Sequence, residues 1–291
     1  MVDRVAVTGA SGRLGRALID MLRARGGDVV SWSRPEYDLE DSASAAALVA
    51  RDKPTLVFHA AAWTSVDGCE LDPARATRLN GEATADLARA CAAGAADLVY
   101  VSTNLIFDGQ RDDGRGYIET DAPAPANAYG QSKLVGERAV VKAYGGANAT
   151  AWIARVSWLF GAPGGDFPDK VIAAADRLAP GDALAMVADE SGRPTYSRDL
   201  AATLIDLPRV APPGVMHLAN AGHATRYQWA ERVLARCRPD VGLRAVSHAD
   251  YERPAAVPRW AVIDTGRAEA LGLTMRPWTE ALDEYLGGVC P

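Results

Sequence analysis

The 291-residue sequence has no apolar run near the ~18 residues that a membrane-spanning helix needs. Its opening stretch, MVDRVAVTGASG, lacks the basic, apolar and small-residue zones of an export signal. Cysteine is scarce. Cys69, Cys91, Cys237 and Cys290 form no C-x-x-C pair and no metal-ligand spacing with the four histidines. That argues against a bound metal and suits a reducing cytoplasm better than a disulfide framework. A basic excess is also missing: 31 Lys and Arg against 37 Asp and Glu leave a net charge of −6. Nucleic acid and anionic membrane are therefore poor partners. Internal repeats and low-complexity tracts are absent. Among the basic residues only Lys53, Lys133, Lys142 and Lys170 are lysines. The expectation is a soluble, cytoplasmic protein.

Hydrophobic residues make up 48% and charged residues 23%, a globular balance. Short apolar runs alternate with helical patterns. Strands are predicted at 5–8, 28–32, 55–59, 98–102 and 151–156. Helices are predicted at 13–25, 42–51, 73–93 and 127–144. This alternation predicts an α/β fold, a Rossmann-type doubly wound parallel sheet covered on both faces. After about residue 160, proline and glycine break the pattern, with helices at 168–178, 197–206, 226–237 and 277–286. Residues 1–160 are expected to form the dinucleotide-binding domain, completed by parts of 185–222. Residues 161–291 are expected to form mainly a smaller α+β substrate domain.

Gly9, Ser11, Gly12, Arg13, Leu14 and Gly15 lie between the first strand and first helix. Small residues there let the backbone approach a pyrophosphate, and the helix N-terminus offers it unpaired N–H groups. The second strand ends Ser31-Trp32-Ser33-Arg34, with no carboxylate before Glu36. A hydroxyl and a guanidinium at that strand end favour NADP, and NADPH over NADH, because a carboxylate there would repel a 2′-phosphate.

Tyr129 and Lys133 stand four residues apart near the start of a predicted helix, on one face. With nine tyrosines and four lysines, chance supplies such a pair only about 0.1 times. A free phenol titrates near ~10. A nearby ammonium is expected to lower that value and fit Tyr129 for proton transfer. Thr103, at the end of the fourth strand, faces the same crevice and would bond the reacting carbonyl.

These features together resemble the extended short-chain dehydrogenase/reductases, and more closely the dTDP-4-dehydrorhamnose reductase family. His59 to Glu70 resembles the family's N-A-A-A-x-T-x-V-D-x-x-E, and Ser102 to Gly109 its S-T-D-Y-V-F-D-G. Tyr117 to Asp121 and Tyr129 to Glu137 follow its Y-x-E-x-D and Y-G-x-x-K-x-x-G-E signatures. Arg155 to Gly161 is similar to R-T-S-W-V-Y-G, and Gly192-Arg193-Pro194-Thr195 with Asp199-Leu200-Ala201 to G-x-P-T-x-x-x-D-L-A. The resemblance implies NAD(P)H-dependent reduction of a 4-keto-6-deoxy sugar nucleotide, with Tyr129 as proton donor. It implies that Asp38 and Leu39 meet the adenine and that Ala60, Ala61 and Ala62 line the cofactor's inner half. Thr64, Val66, Asp67, Asn104, Leu105, Trp158, Asp166, Phe167 and Arg193 fall on its substrate side. A homodimer is implied as well.

The departures concern the substrate. Asn104-Leu105 replaces the family's Asp-Tyr, Asp166 its asparagine, Asp169 a basic residue and Glu190 its glutamine. Added carboxylates would repel a nucleotide sugar and suit a substrate with less phosphate or with an amine. Either Arg253 or Arg259 takes the family's basic position near 253–264. Two other readings remain open. One is a noncatalytic NADP-binding regulator similar to the methionine adenosyltransferase beta subunit. The other is an epimerase or dehydratase, disfavoured because Asn104-Leu105 supplies no acid-base carboxylate.

Overall fold

A computed structural model describes residues 4–290. Its first half lays down β1 (Arg4–Thr8), β2 (Asp28–Trp32), β3 (Leu56–His59), β4 (Asp97–Thr103) and β5 (Ala151–Val156). A sixth strand, Gly214–Leu218, arrives much later in the chain, and the spatial order is Gly214–Leu218, β5, β4, β3, β1, β2. All five pairings are parallel. From β1 the chain first runs to β2 on one side, then returns to β3 on the other. That reversal opens a crevice at the strands' carboxyl ends, where such sheets bind ligands.

The strands are short apolar runs because helices cover both faces. On one face α1 (Arg13–Ala24) turns Leu14, Leu18, Ile19 and Leu22 into a core shared with Val5, Val7 and Phe58. On the other lie α2 (Ser44–Asp52), α3 (Val66–Leu71), α4 (Pro73–Ala76), α5 (Ala83–Ala93) and α6 (Ala128–Tyr144). There Leu48, Leu87, Leu98 and Tyr100 share a second core. The single helix predicted over 73–93 is not uniform. Thr77–Glu82 winds as a π-helix, burying Leu79, Asn80 and Gly81. Wider turns of this kind occur where a side chain must be re-aimed, and Asn80 is such a case.

The second half holds β6 (Leu159–Phe160), α7 (Phe167–Ala175), β7 (Ala183–Val187), β8 (Ser191–Gly192) and β9 (Thr195–Tyr196). It continues through α8 (Ser197–Val210), β10 (Gly214–Leu218), β11 (Ala224–Thr225) and α9 (Arg226–Cys237). β12 (Gly242–Val246), α10 (Gly266–Ala270) and α11 (Trp278–Gly287) complete it. Three two-stranded ribbons pair β6 with β9, β7 with β12 and β8 with β11. Helices α7, α9 and α11 enclose a third core around Val171, Trp229, Val233 and Leu282. In contrast α8 and β10 return to the main sheet, where Leu200, Leu204, Met216 and Leu218 join the first core.

The reading that cysteine usage suits a reducing cytoplasm better than a disulfide framework needs correction at one pair. Cys237, at the end of α9, is bonded to Cys290 after α11, across 53 residues of sequence. The two helices pack side by side and bring their ends together, which spacing along the chain could not reveal. Cys69 and Cys91 are buried thiols. Among the described residues no helix is long and apolar enough to cross a membrane.

Candidate active site

A cavity of about 770 Å³ opens at the carboxyl ends of β1, β3 and β4 and extends beneath α7 and α9. The glycine loop forms one end. Gly9 takes φ +64°, and a Cβ there would stand 2.9 Å from the Ala61 backbone. At Gly15 a Cβ would fall 2.1 Å from the Gly9 carbonyl. The loop therefore closes only without side chains at these positions. Gly12 precedes α1 with no side-chain cap, leaving the first helical N–H groups for an anion. Ser11, Arg13 and Leu14 share this wall, as do Ala60, Ala61 and Ala62 opposite. Arg13 also reaches out of its helix, donating to the carbonyls of Gly161 and Gly164 at 2.8 Å each.

Ser33, Arg34, Asp38 and Leu39 line the far corner beyond β2. Arg34 is exposed, and no ion pair holds it among the described residues. The nearby acids are occupied. Glu40 binds Arg75 and Arg78, and Glu36 pairs with Arg51 at 3.6 Å.

Thr103, Tyr129 and Lys133 all face this one cavity. Thr103 ends β4 and its hydroxyl accepts from the Leu105 N–H at 3.1 Å, capping the short turn Asn104–Ile106. Helix α6 starts where it does because Asn127 accepts from the Gly130 N–H and Glu70 from the Ala128 N–H, each at 2.8 Å. That start places Tyr129, Lys133 and Glu137 on successive turns of one face. Glu137 grips Arg155 of β5 in a buried two-point ion pair, at 3.0 and 2.8 Å, and accepts from Ser102 of β4 at 2.5 Å. The helix is thereby fixed to the two strands beneath it.

The expected ammonium-lowered phenol is not what the geometry produces. Burial pushes the Tyr129 phenol well above its ordinary value, with the Thr103 hydroxyl working in the opposite direction. Lys133 is the group that moves into the neutral range. Burial brings it down to about 7, against the pull of Glu137. Its Nζ lies 4.1 Å from the ring centroid of Tyr100. The protein alone thus holds Tyr129 as a protonated acid.

A buried chain of hydrogen bonds supports this helix. Thr8 contacts His59 at 2.8 Å, and His59 contacts Thr84 at 3.1 Å. Thr84 donates to the Asn80 carbonyl at 2.8 Å. The Asn80 side chain accepts from the Trp63 N–H at 2.8 Å and donates to the Ser132 hydroxyl at 3.0 Å. Ser132 in turn donates to the Tyr129 carbonyl at 2.7 Å. Burial and nearby Lys133 lower His59 to about 3, so it is neutral. Sequence reasoning missed Asn80, Ser132 and Tyr100, which carry no motif of their own.

At the substrate end, Thr64, Val66, Leu105, Trp158 and Phe167 line the cavity. Trp158 holds φ at +38°, a strained setting for a bulky residue. Asn104 also lines it, but its amide is committed to the Ala261 carbonyl at 2.8 Å. Two expected substrate residues lie outside the lining. Arg193 donates to Thr265 at 2.8 Å and packs behind the wall. Asp67 instead holds Arg253, at 3.0 and 3.1 Å, and accepts from the Ala255 N–H at 3.2 Å. Of Arg253 and Arg259, Arg253 is the one that reaches the cavity. Arg259 is largely exposed and lies 3.8 Å from Asp189.

The added carboxylates all hold partners within the protein, and of the three only Asp166 lines the cavity. Asp166 caps α7, accepting from Gly161 N–H at 2.7 Å and Asp169 N–H at 3.2 Å, with Arg13 at 3.7 Å. Asp169 accepts from the Gly165 N–H and the Tyr285 hydroxyl. Glu190 is buried between His248 at 2.7 Å and Arg226 at 3.7 Å. Arg226, unnoticed in the sequence, lines the cavity with its guanidinium carbon 3.6 Å from the Trp158 ring centroid.

A doubly wound sheet with a glycine turn and a Thr/Tyr/Lys trio at its switch point defines an extended short-chain dehydrogenase/reductase scaffold. Comparison with known proteins narrows this. Residues 3–289 match the family described as the RmlD substrate binding domain, and the chain belongs to that family. It is 38% identical to a dTDP-4-dehydrorhamnose reductase of Streptomyces griseus, covering 99% of this chain and 94% of that protein. It is 35% identical to a dTDP-4-keto-6-deoxy-D-glucose reductase of Streptomyces niveus, covering 98% of this chain and 96% of that one. Among solved structures, a dTDP-4-dehydrorhamnose reductase from Clostridium acetobutylicum superposes with a TM-score of 0.91 at 28% identity, covering 98% and 99% of the two chains. One from Bacillus anthracis, solved with NADP, gives 0.89 at 29% identity with the same coverage.

Proposed function

We propose that this chain reduces the 4-keto group of a deoxysugar nucleotide with NADPH. The observation that carries this reading is that Thr103, Tyr129 and Lys133 share one cavity with the glycine loop. The named activities of the full-length relatives point the same way. When bound, the reduced nicotinamide supplies the hydride. The residues of the glycine loop and the Arg13 end of α1 fit the cofactor's pyrophosphate, since both offer backbone N–H groups with no side chain in the way.

Tyr129 Oη carries the proton that the product oxygen needs, because burial keeps the phenol protonated. Its O–H bond breaks as the new O–H bond to the sugar forms. The Thr103 hydroxyl donates to the same carbonyl oxygen and orients it. Lys133 exchanges a proton near neutral pH, and so returns one towards Tyr129 after turnover. Preference for NADPH over NADH is part of the proposal. Its support is that Ser33 and the exposed Arg34, which has no ion pair among the described residues, line the corner beyond β2, a pairing that suits a 2′-phosphate.

The test is NADPH oxidation with dTDP-4-keto-6-deoxy sugars. Wild type should turn over, and Tyr129→Phe should lose about 10²–10⁴-fold in kcat while keeping its affinity for NADPH. Absence of oxidation with every 4-keto sugar nucleotide, or undiminished turnover by Tyr129→Phe, overturns the reading. Arg34→Ala should narrow the NADPH to NADH ratio of kcat/KM.

A further inference from the structure

Arg226 occupies an unusual position for a charged side chain. It begins α9 and lies against three aromatic rings, with its guanidinium carbon 3.6, 5.1 and 5.7 Å from the centroids of Trp158, Phe167 and Trp229. Apart from Glu190, no side-chain partner for its N–H groups is found among the described residues. Its one counter-ion is Glu190, at 3.7 Å. Glu190 is buried, does not line the cavity and is shared with His248. The acid therefore sits behind the guanidinium, on its Nε side, while Arg226 itself lines the open space. Burial lowers Arg226 to about 10, so it remains charged at neutral pH. The guanidinium is half-buried, and a ligand that takes up its remaining donors would offset the water it has lost. The indole N–H of Trp229, on the same wall, is also buried without a partner.

A second cation faces the same space. Lys170 on α7 lines the cavity, is exposed, and has no ion pair among the described residues. The carboxylates nearest in the chain, Asp169 and Asp166, accept from backbone N–H groups and, for Asp169, the Tyr285 hydroxyl. Two cations thus line this end of the cavity, although the whole chain carries −6.

We infer that Arg226, backed by Glu190 and assisted by Lys170, is the specificity-determining residue that binds the diphosphate of the substrate nucleotide. The inference rests on the reductase reading for the identity of that substrate. The planar fork suits two phosphoryl oxygens at once. Trp158, Phe167 and Trp229 hold it flat, so little side-chain freedom is lost on binding. Glu190 holds the charge in place and moderates its strength.

The test is calorimetric titration of the NADP-loaded protein with dTDP and with thymidine. Wild type should bind dTDP far more tightly than thymidine. Arg226→Met, which keeps the apolar stem, should weaken dTDP by about 10–100-fold with thymidine changed less than twofold. Arg226→Lys, a milder change that protects the fold, should lie between. Glu190→Gln should tighten dTDP a few-fold. If both Arg226 variants bind dTDP within twofold of wild type, or wild type binds thymidine equally well, the inference is overturned. NADPH oxidation run in parallel separates the two readings. Intact turnover with dTDP affinity insensitive to Arg226 removes this inference alone. Absent turnover, with dTDP affinity lost in Arg226→Met, removes the reductase reading and leaves the diphosphate site.

Discussion

Lys133 and Tyr100 hold each other: the ammonium lies 4.1 Å from the ring centroid, and the phenol donates to the Lys133 carbonyl at 3.3 Å. The cation rests on a π-face where a carboxylate would otherwise be expected, with Glu137 a full helical turn away. An aromatic face offers partial compensation for lost water and no proton acceptor. This is why burial can carry the lysine down to about 7.

The pH dependence follows from that lowering. An unfolded lysine titrates near ~10.4, so between about 7 and 10 the unfolded chain binds the extra proton and stability rises with pH. Lys133→Met removes the buried charge. Its Tm should exceed that of wild type most at pH 6, with the gap shrinking by pH 9. A gap independent of pH would show that Lys133 does not titrate in this window. The same variant should lose activity at both pH values.

Asn80 is a positioning residue for the proton donor. Asn80→Ala leaves the Trp63 N–H and the Ser132 hydroxyl without their partner and should cost about 1–3 kcal/mol in chemical denaturation. Because Ser132 bonds the Tyr129 carbonyl, kcat should fall with little change in the Kd for NADPH. A loss of stability with kcat intact would assign Asn80 to the fold alone.

Asp67 and Arg253 join α3 to the 251–258 segment across the cavity mouth. Asn127 fastens the same segment by donating to the Ala256 carbonyl at 2.8 Å. Arg253→Ala should raise KM for the keto sugar nucleotide more than it lowers kcat. Asp67→Asn should do the same. The double variant should be no worse than either, the mark of one shared interaction. Additive losses in steady-state kinetics would mean that the two act separately.

The Cys237–Cys290 bond joins residues 53 apart in the sequence. Chain entropy sets an upper scale of about 4 kcal/mol for its contribution. Dithiothreitol, or Cys237→Ser, should lower Tm by several degrees and leave NADP binding unchanged, since the glycine loop lies in the other half. An unaltered Tm would show that α9 and α11 are held by their apolar contacts alone.

The main sheet was readable because parallel strands buried on both faces leave compact apolar runs. The predictions at 28–32, 151–156 and 226–237 coincide with β2, β5 and α9. Sharp turn chemistry made the glycine loop equally plain. The ribbon of β7 and β12 was not foreseen, since each strand is only partly buried and its partner lies more than fifty residues away. The π-helical turn was hidden because its residues also suit an α-helix. Charges were the least legible feature. Asp166 and Glu190 suggested repulsion until their partners came into view, and Arg226 drew no notice because nothing local marks it.

The origin of β10 bears on the order in which the protein is made. β5 pairs with β4 on one edge, yet its other edge stays open until Gly214–Leu218 has been synthesised. At translation rates of roughly 5–20 residues per second, the intervening chain takes several seconds to emerge. Through that interval the nascent sheet presents an unpaired apolar edge, the kind of surface that recruits other strands. A ribosome pause between β5 and β10 would lengthen that exposure, whereas one after β10 would not.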